Sequence, residues 1–188
     1  MPTHVALLRG VNVGGSSRVS MAALREVVTS LGHRDVSTYI QSGNVVFSTG
    51  SVDTHGLAAE LESAIDSALN VRSRVVVLSR DELARVVADN PYADEPDPRF
   101  VHAVLRGDDP GPQAAADLAA ALEKAAAKGS ADEACLVGRT LYLRTPNGFG
   151  RSELAAQLSR PVKAGAPVPA ATARNWATVT RLLAMLDG

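Results

Sequence analysis

Val36-Ser37-Thr38-Tyr39-Ile40-Gln41-Ser42-Gly43-Asn44-Val45-Val46-Phe47, residues 36–47, decides the fold. Val36 to Ile40 is β-branched and aromatic and reads as a strand; Val45-Val46-Phe47 reads as the strand that returns. Gln41-Ser42-Gly43-Asn44 between them is a tight turn. Upstream, Val5 to Leu8 is a short apolar run, the mark of a buried strand. The glycine-rich loop Arg9-Gly10-Val11-Asn12-Val13-Gly14-Gly15-Ser16-Ser17 leads from it to Ser20, which caps a helix. Met21, Leu24, Val27, Val28 and Leu31 share one face of that helix, and Gly32 ends it. Downstream, Leu57, Leu61, Ala64, Ile65, Ala68 and Leu69 mark a second helix, and Val75 to Leu78 a fourth strand. The order is β-α-β-β-α-β.

A connecting helix over Ser79 to Ala88 follows, with Asp81 and Glu82 in the first turn, where the helix dipole favours negative charge. Asn90-Pro91 stops it, and Pro91, Pro96 and Pro98 among acidic residues make a linker. The grammar then repeats. Phe100 to Leu105 reads as a strand, and residues 113–128 as an alanine-rich helix. Glu133 to Val137 and Leu141 to Leu143 read as strands around Gly138-Arg139-Thr140. A short helix follows Gly150-Arg151-Ser152, and a final helix starts near Thr172. Leu8-Arg9-Gly10 and Leu105-Arg106-Gly107 echo each other at the ends of the two first strands. The expectation is an α+β chain of tandem ferredoxin-like halves with antiparallel or mixed sheets, a duplication. Its parts are 1–79, a connecting helix and linker over 80–98, and 99–188 with the C-terminal helix.

At 188 residues the chain suits two small units. Its net charge of −1 lacks the basic excess of a non-specific nucleic-acid binder, though a local basic site is compatible with it. With one cysteine, Cys135, no intramolecular disulfide forms, which fits a reducing compartment. Cys135 lies in an apolar run and reads as a buried small hydrophobe. The N-terminus has no signal-peptide pattern and no apolar run spans a membrane, so the expected setting is cytoplasmic with no membrane partner.

A parallel crossover from the first strand to the second places the glycine-rich loop and the hairpin turn at one end of the sheet. Arg9, Asn12, Gly14, Gly15 and Ser16 then approach Ser42, Gly43 and Asn44. Backbone N–H groups at a helix start, beside a guanidinium, suit a small anion such as phosphate or carboxylate. Neither nucleotide-binding glycine fingerprint is met. Two further polar clusters stand near the C-terminus: Asn147-Gly148-Phe149-Gly150-Arg151-Ser152 and Thr172-Ala173-Arg174-Asn175-Trp176. Trp176 reads as core. Arg174 in a first helical turn opposes the dipole, which points to a partner for it. His4, His33, His55 and His102 are dispersed without ligand spacing, so no metal is expected. No cofactor is implied and no catalytic set emerges.

These strings resemble the bacterial DUF1697 family. Leu8 to Gly15, Val19-Ser20-Met21, Leu24-Arg25 and Thr38 to Phe47 look like its opening. Leu141-Tyr142-Leu143, Gly148 to Ser152 and Thr172 to Val179 resemble its later signatures. The resemblance implies tandem ferredoxin-like halves and no established activity, substrate or cofactor. The family often carries a lysine after the double glycine, where this chain has Ser16-Ser17-Arg18, and Ser-Lys-Leu where it has Ser152-Glu153-Leu154. Both departures remove positive charge.

The leading expectation is a binding module for a small anionic, phosphate-containing or similar ligand, using Arg9, Asn12, Gly14, Gly15, Ser42, Asn44, Arg151, Arg174 and Asn175. Three others stand beside it: a small enzyme in the inter-half cleft, an RNA-interacting protein, and a scaffold whose motifs hold the halves together. The oligomeric state is left open.

Overall fold

The computed structural model describes residues 1–13, 18–159 and 170–188. The elements run β1 (His4–Leu8), α1 (Met21–Ser30), β2 (Arg34–Tyr39), β3 (Asn44–Ser48), α2 (Thr54–Leu69), β4 (Val75–Ser79) and α3 (Arg80–Ala88). They continue with β5 (Val101–Arg106), α4 (Ala114–Ala126), β6 (Glu133–Val137), β7 (Thr140–Arg144), α5 (Glu153–Leu158), β8 (Ala171–Asn175) and α6 (Trp176–Asp187). The protein is α+β, with two four-stranded sheets in the orders β2-β3-β1-β4 and β6-β7-β5-β8. Among the described residues every strand pair in these sheets is antiparallel.

The unbroken apolar run at β1 has a simple cause: both of its faces are covered. Ala6 and Leu8 point to the core under α1 and α2, with Leu24, Phe47, Leu61 and Ile65. Val5 and Leu7 point the other way, into a core shared by both sheets. There they meet Val46, Leu78, Ala103, Leu105 and Tyr142, with Leu83 of α3 and Leu182 of α6. A third core lies under α4 and α5, around Leu141, Leu143 and Leu154. Separating the sheets would return the large side chains of the shared core to water, at roughly 1.5–3 kcal/mol each. The Ser79–Glu82 capping box starts α3 where the chain must turn off β4.

Three expectations are corrected. Residues 171–175 are strand β8, and the last helix begins at Trp176, not near Thr172. The alanines of this stretch favour a helix locally, but pairing with β5 from Arg106↔Ala171 to His102↔Asn175 overrides that preference. The Leu-Arg-Gly echo is also out of register. Leu8 faces the helix-covered core, whereas Leu105 faces the shared core. A one-residue offset reverses a strand's faces, so Leu105 corresponds to Leu7. Cys135, on β6 at the sheet edge, is half-buried rather than fully enclosed.

Candidate functional site at the seam between the sheets

Strand alternation puts Thr172 and Arg174 on the inner face of β8, opposite Leu105 and Ala103. Arg174 is thereby driven into the seam and is 7% exposed. Its Nε donates to Asn44 Oδ1 at 2.5 Å. Nη1 donates to Thr172 Oγ1 at 2.6 Å and to the Ala173 carbonyl at 2.8 Å. Nη2 donates to the Leu8 carbonyl at 2.8 Å and the Ser42 carbonyl at 3.1 Å. A guanidinium has five N–H donors, and these five acceptors use them all. Every acceptor is neutral. Burial pushes the Arg174 pKa down to about 10, so the group is still a cation at neutral pH.

Two of the acceptors, Asn44 Oδ1 and the Ser42 carbonyl, belong to an unusually constrained turn. Asn44, 0% exposed, donates from Nδ2 to the Tyr39 carbonyl at 3.0 Å and to Ser42 Oγ at 2.9 Å. Asn12 Nδ2 donates to the Gln41 carbonyl at 2.7 Å, and the Leu8 N–H donates to the Gly43 carbonyl at 2.8 Å. The turn carbonyls of residues 39, 41, 42 and 43 are therefore all held from outside the turn or by Asn44. Ile40 sits among them at φ 49°, a left-handed conformation that a β-branched residue rarely adopts. Such strain persists where surrounding contacts over-determine it. Gly43 has φ 71°, and a Cβ there would lie 2.6 Å from Val11 Cγ2 and 2.8 Å from Leu8 Cβ. Only glycine fits.

Asn12 also exchanges hydrogen bonds with Val19: its Nδ2 donates to the Val19 carbonyl and its Oδ1 accepts from the Val19 N–H, each at 2.9 Å. It closes the base of the glycine-rich loop. Gly14 and Gly15, with Ser16, lie outside the described residues.

Arg9 sits at the rim of this assembly. Its N–H meets Ser73 Oγ at 3.1 Å and the Arg74 carbonyl at 2.9 Å, and its Nη1 reaches the Ala171 carbonyl at 3.4 Å. With Gly10, Arg72, Ser73 and Arg74 it lines an open groove against α2, whose carboxylates Glu62 and Asp66 complete the wall. Arg74 pairs with Glu62 at 2.9 Å, and the 91%-exposed Arg72 with Asp66 at 3.3 Å. The sequence reading missed Arg72-Ser73-Arg74; the signal that finds it is that β4 is antiparallel to β1, so its start lies beside the end of β1.

The structure thus joins Arg9, Asn12, Ser42, Asn44 and Arg174. It leaves Arg151 and Asn175 out. Arg151 is exposed in the turn Phe149–Arg151, whose Phe149 stacks on His102 at 4.3 Å. His102 alternates with Ala103, so this turn is on the face of the sheet away from Arg174. Asn175 caps α6, accepting the Ala177 N–H at 3.0 Å, and donates to the Pro98 carbonyl. The dipole argument for Arg174 falls with its premise, since Arg174 is in a strand. Trp176 packs partly buried against the shared core, edge-on to Tyr142. Among the described residues no group of three His, Cys, Asp or Glu could hold a metal ion, and no helix is long and apolar enough to cross a membrane.

Residues 1–142 match the family model of DUF1697, described as a protein of unknown function. The match ends before the strings at 148–152 and 172–179. The solved structure of the conserved bacterial protein SP0830 from Streptococcus pneumoniae is similar over 98% of each chain, with a TM-score of 0.70 at 21% identity. None of the curated proteins matches.

Proposed function

The chain belongs to the DUF1697 family of proteins of unknown function, and we propose that it is a binding module for a small anionic, phosphate-bearing ligand held at the Arg9 groove. One observation carries this reading. Three guanidinium groups, of Arg9, Arg72 and Arg74, line the groove against two carboxylates, Glu62 and Asp66. The exposed Arg72–Asp66 pair contributes little on its own and re-forms easily around an incoming anion. In this reading Asn12, Ser42, Asn44 and Arg174 do not touch the ligand. They hold the loop and the turn beside it. Arg151 and Asn175 are outside the site.

The same proposal takes each half as a ferredoxin-like unit of an ancient duplication, over 1–79 and 99–188, in a cytoplasmic protein. The element order and sheet order of the two halves support it. Segment 80–98 is a connector whose helix, through Leu83 and Val86, is built into the shared core.

Calorimetric titration with inorganic phosphate and with a sugar phosphate tests the function. The expected result is saturable binding that weakens by about tenfold or more in Arg9→Ala and in Arg72→Ala. Binding that both variants leave intact, or no binding, would favour the scaffold reading, in which the polar strings only join the sheets.

A further inference from the structure

Two ion pairs cross the Arg9 groove like rungs. Arg74 Nη1 meets Glu62 Oε2 at 2.9 Å, and Arg72 Nε meets Asp66 Oδ2 at 3.3 Å. The two carboxylates are one turn apart on α2, about 6 Å along its axis. The rungs differ in firmness. Glu62 is fixed a second time, because its Oε1 accepts the Val75 N–H at 2.8 Å. Arg72 is 91% exposed and Asp66 40%, so that pair opens easily.

A phosphate that takes Arg72 leaves Asp66 without its cation. The carboxylate then faces a ligand of like charge at close range. A bare anion therefore binds against this repulsion. A ligand that carries hydroxyl groups beside its phosphate satisfies both halves of the opened pair at once, phosphate on arginine and hydroxyl on carboxylate. Carboxylates take this role toward ribose hydroxyls in dinucleotide sites. The helix wall suits it. Ser63 lies three residues before Asp66 and four before Ser67, so the three share one stripe of α2, and all line the groove. Ser63 and Ser67 are exposed, and each hydroxyl can both donate and accept.

We propose that the ligand of this groove is a phosphate monoester of a polyol, a small sugar phosphate. Its phosphate takes Arg72 and Arg9, and its hydroxyls take Asp66, Ser63 and Ser67. The Arg74–Glu62 rung stays closed. This inference rests on the phosphate reading of the groove and adds the wall that recognises the rest of the molecule. Further phosphates on the ligand would meet the two carboxylates, which turns polyphosphates and nucleic acid away.

The test is calorimetric titration of the full chain with glycerol 3-phosphate and with propyl phosphate, which has the same charge and chain length but no hydroxyl groups. The parent is expected to bind glycerol 3-phosphate about tenfold or more tightly than propyl phosphate. Asp66→Ala should erase that preference: it weakens glycerol 3-phosphate and leaves propyl phosphate as tight or tighter, because the repelling carboxylate is gone. Ser63→Ala should weaken glycerol 3-phosphate alone. A purely structural role for Asp66 would move both probes together, and a thermal midpoint confirms that each variant is folded. Equal affinities in the parent, or a preference that Asp66→Ala keeps, would overturn the inference and leave the phosphate reading standing. No binding of either probe would overturn both.

Discussion

Arg174 Nε and Asn44 Oδ1 lie 2.5 Å apart across the seam, joining residues 130 positions apart in the chain. Arginine is required there by geometry and not by charge alone. The five acceptors take all five N–H groups of the guanidinium, which a lysine ammonium with three donors cannot reproduce. Arg174→Lys leaves buried oxygens without donors and is expected to destabilise by about 2–4 kcal/mol. Urea denaturation followed by circular dichroism measures it. A loss of less than about 1 kcal/mol would mean that water or rearrangement replaces the missing donors.

Gly43 and Gly10 separate two effects that are usually confounded. Both have positive φ, 71° and 67°. A Cβ at Gly43 meets Val11 and Leu8, whereas at Gly10 it meets nothing within 4 Å. Gly10→Ala should cost only the left-handed penalty, roughly 1–2 kcal/mol. Gly43→Ala adds overpacking of about 1–3 kcal/mol. Equal thermal midpoints for the two variants would contradict this account of the turn.

Ile40 is 51% exposed at φ 49°, so its side chain gains little from burial while its backbone is strained. Asparagine tolerates this conformation. Ile40→Asn is expected to stabilise by about 1 kcal/mol, raising the thermal midpoint by roughly 2–4 °C. A fall in the midpoint would show that Ile40's remaining apolar contacts outweigh the strain.

The hairpin at 36–47 and the helix cap at Ser20 were readable because local patterning and tertiary packing agree there. Strand β8 was not. Ala171-Thr172-Ala173-Arg174-Asn175 carries no strong strand signal, and only its ladder with β5 makes it one. The site was half legible for the same reason. Crossover topology brings Asn12 to the hairpin turn, but the meeting of Arg174 with Asn44 depends on the packing of one sheet against another, which no local pattern encodes. The echo of Leu8 in Leu105 misled because a strand reading without its partner's register leaves the two faces interchangeable.

Acid should destabilise the protein through its buried histidines. Burial holds His102 near about 4 against an ordinary 6.5. Burial also lowers His4. Between those values the unfolded chain takes up a proton that the folded chain refuses, so stability is full above about pH 6.5 and falls as pH drops toward 4. His102→Phe, which keeps a ring against Phe149, should flatten that decline. Thermal midpoints measured from neutral pH downward check this. Parallel curves for parent and variant would rule His102 out as a contributor.

The most direct test of the seam is a double-mutant cycle on Asn44→Ala and Arg174→Met, read as unfolding free energies in urea. The hydrogen bond joins a charged donor to a buried amide, so the pair should show a coupling of about 1.5–3 kcal/mol. A coupling within about 0.5 kcal/mol of zero would mean that the two residues act independently, and that the strings at opposite ends of the chain do not form one lock.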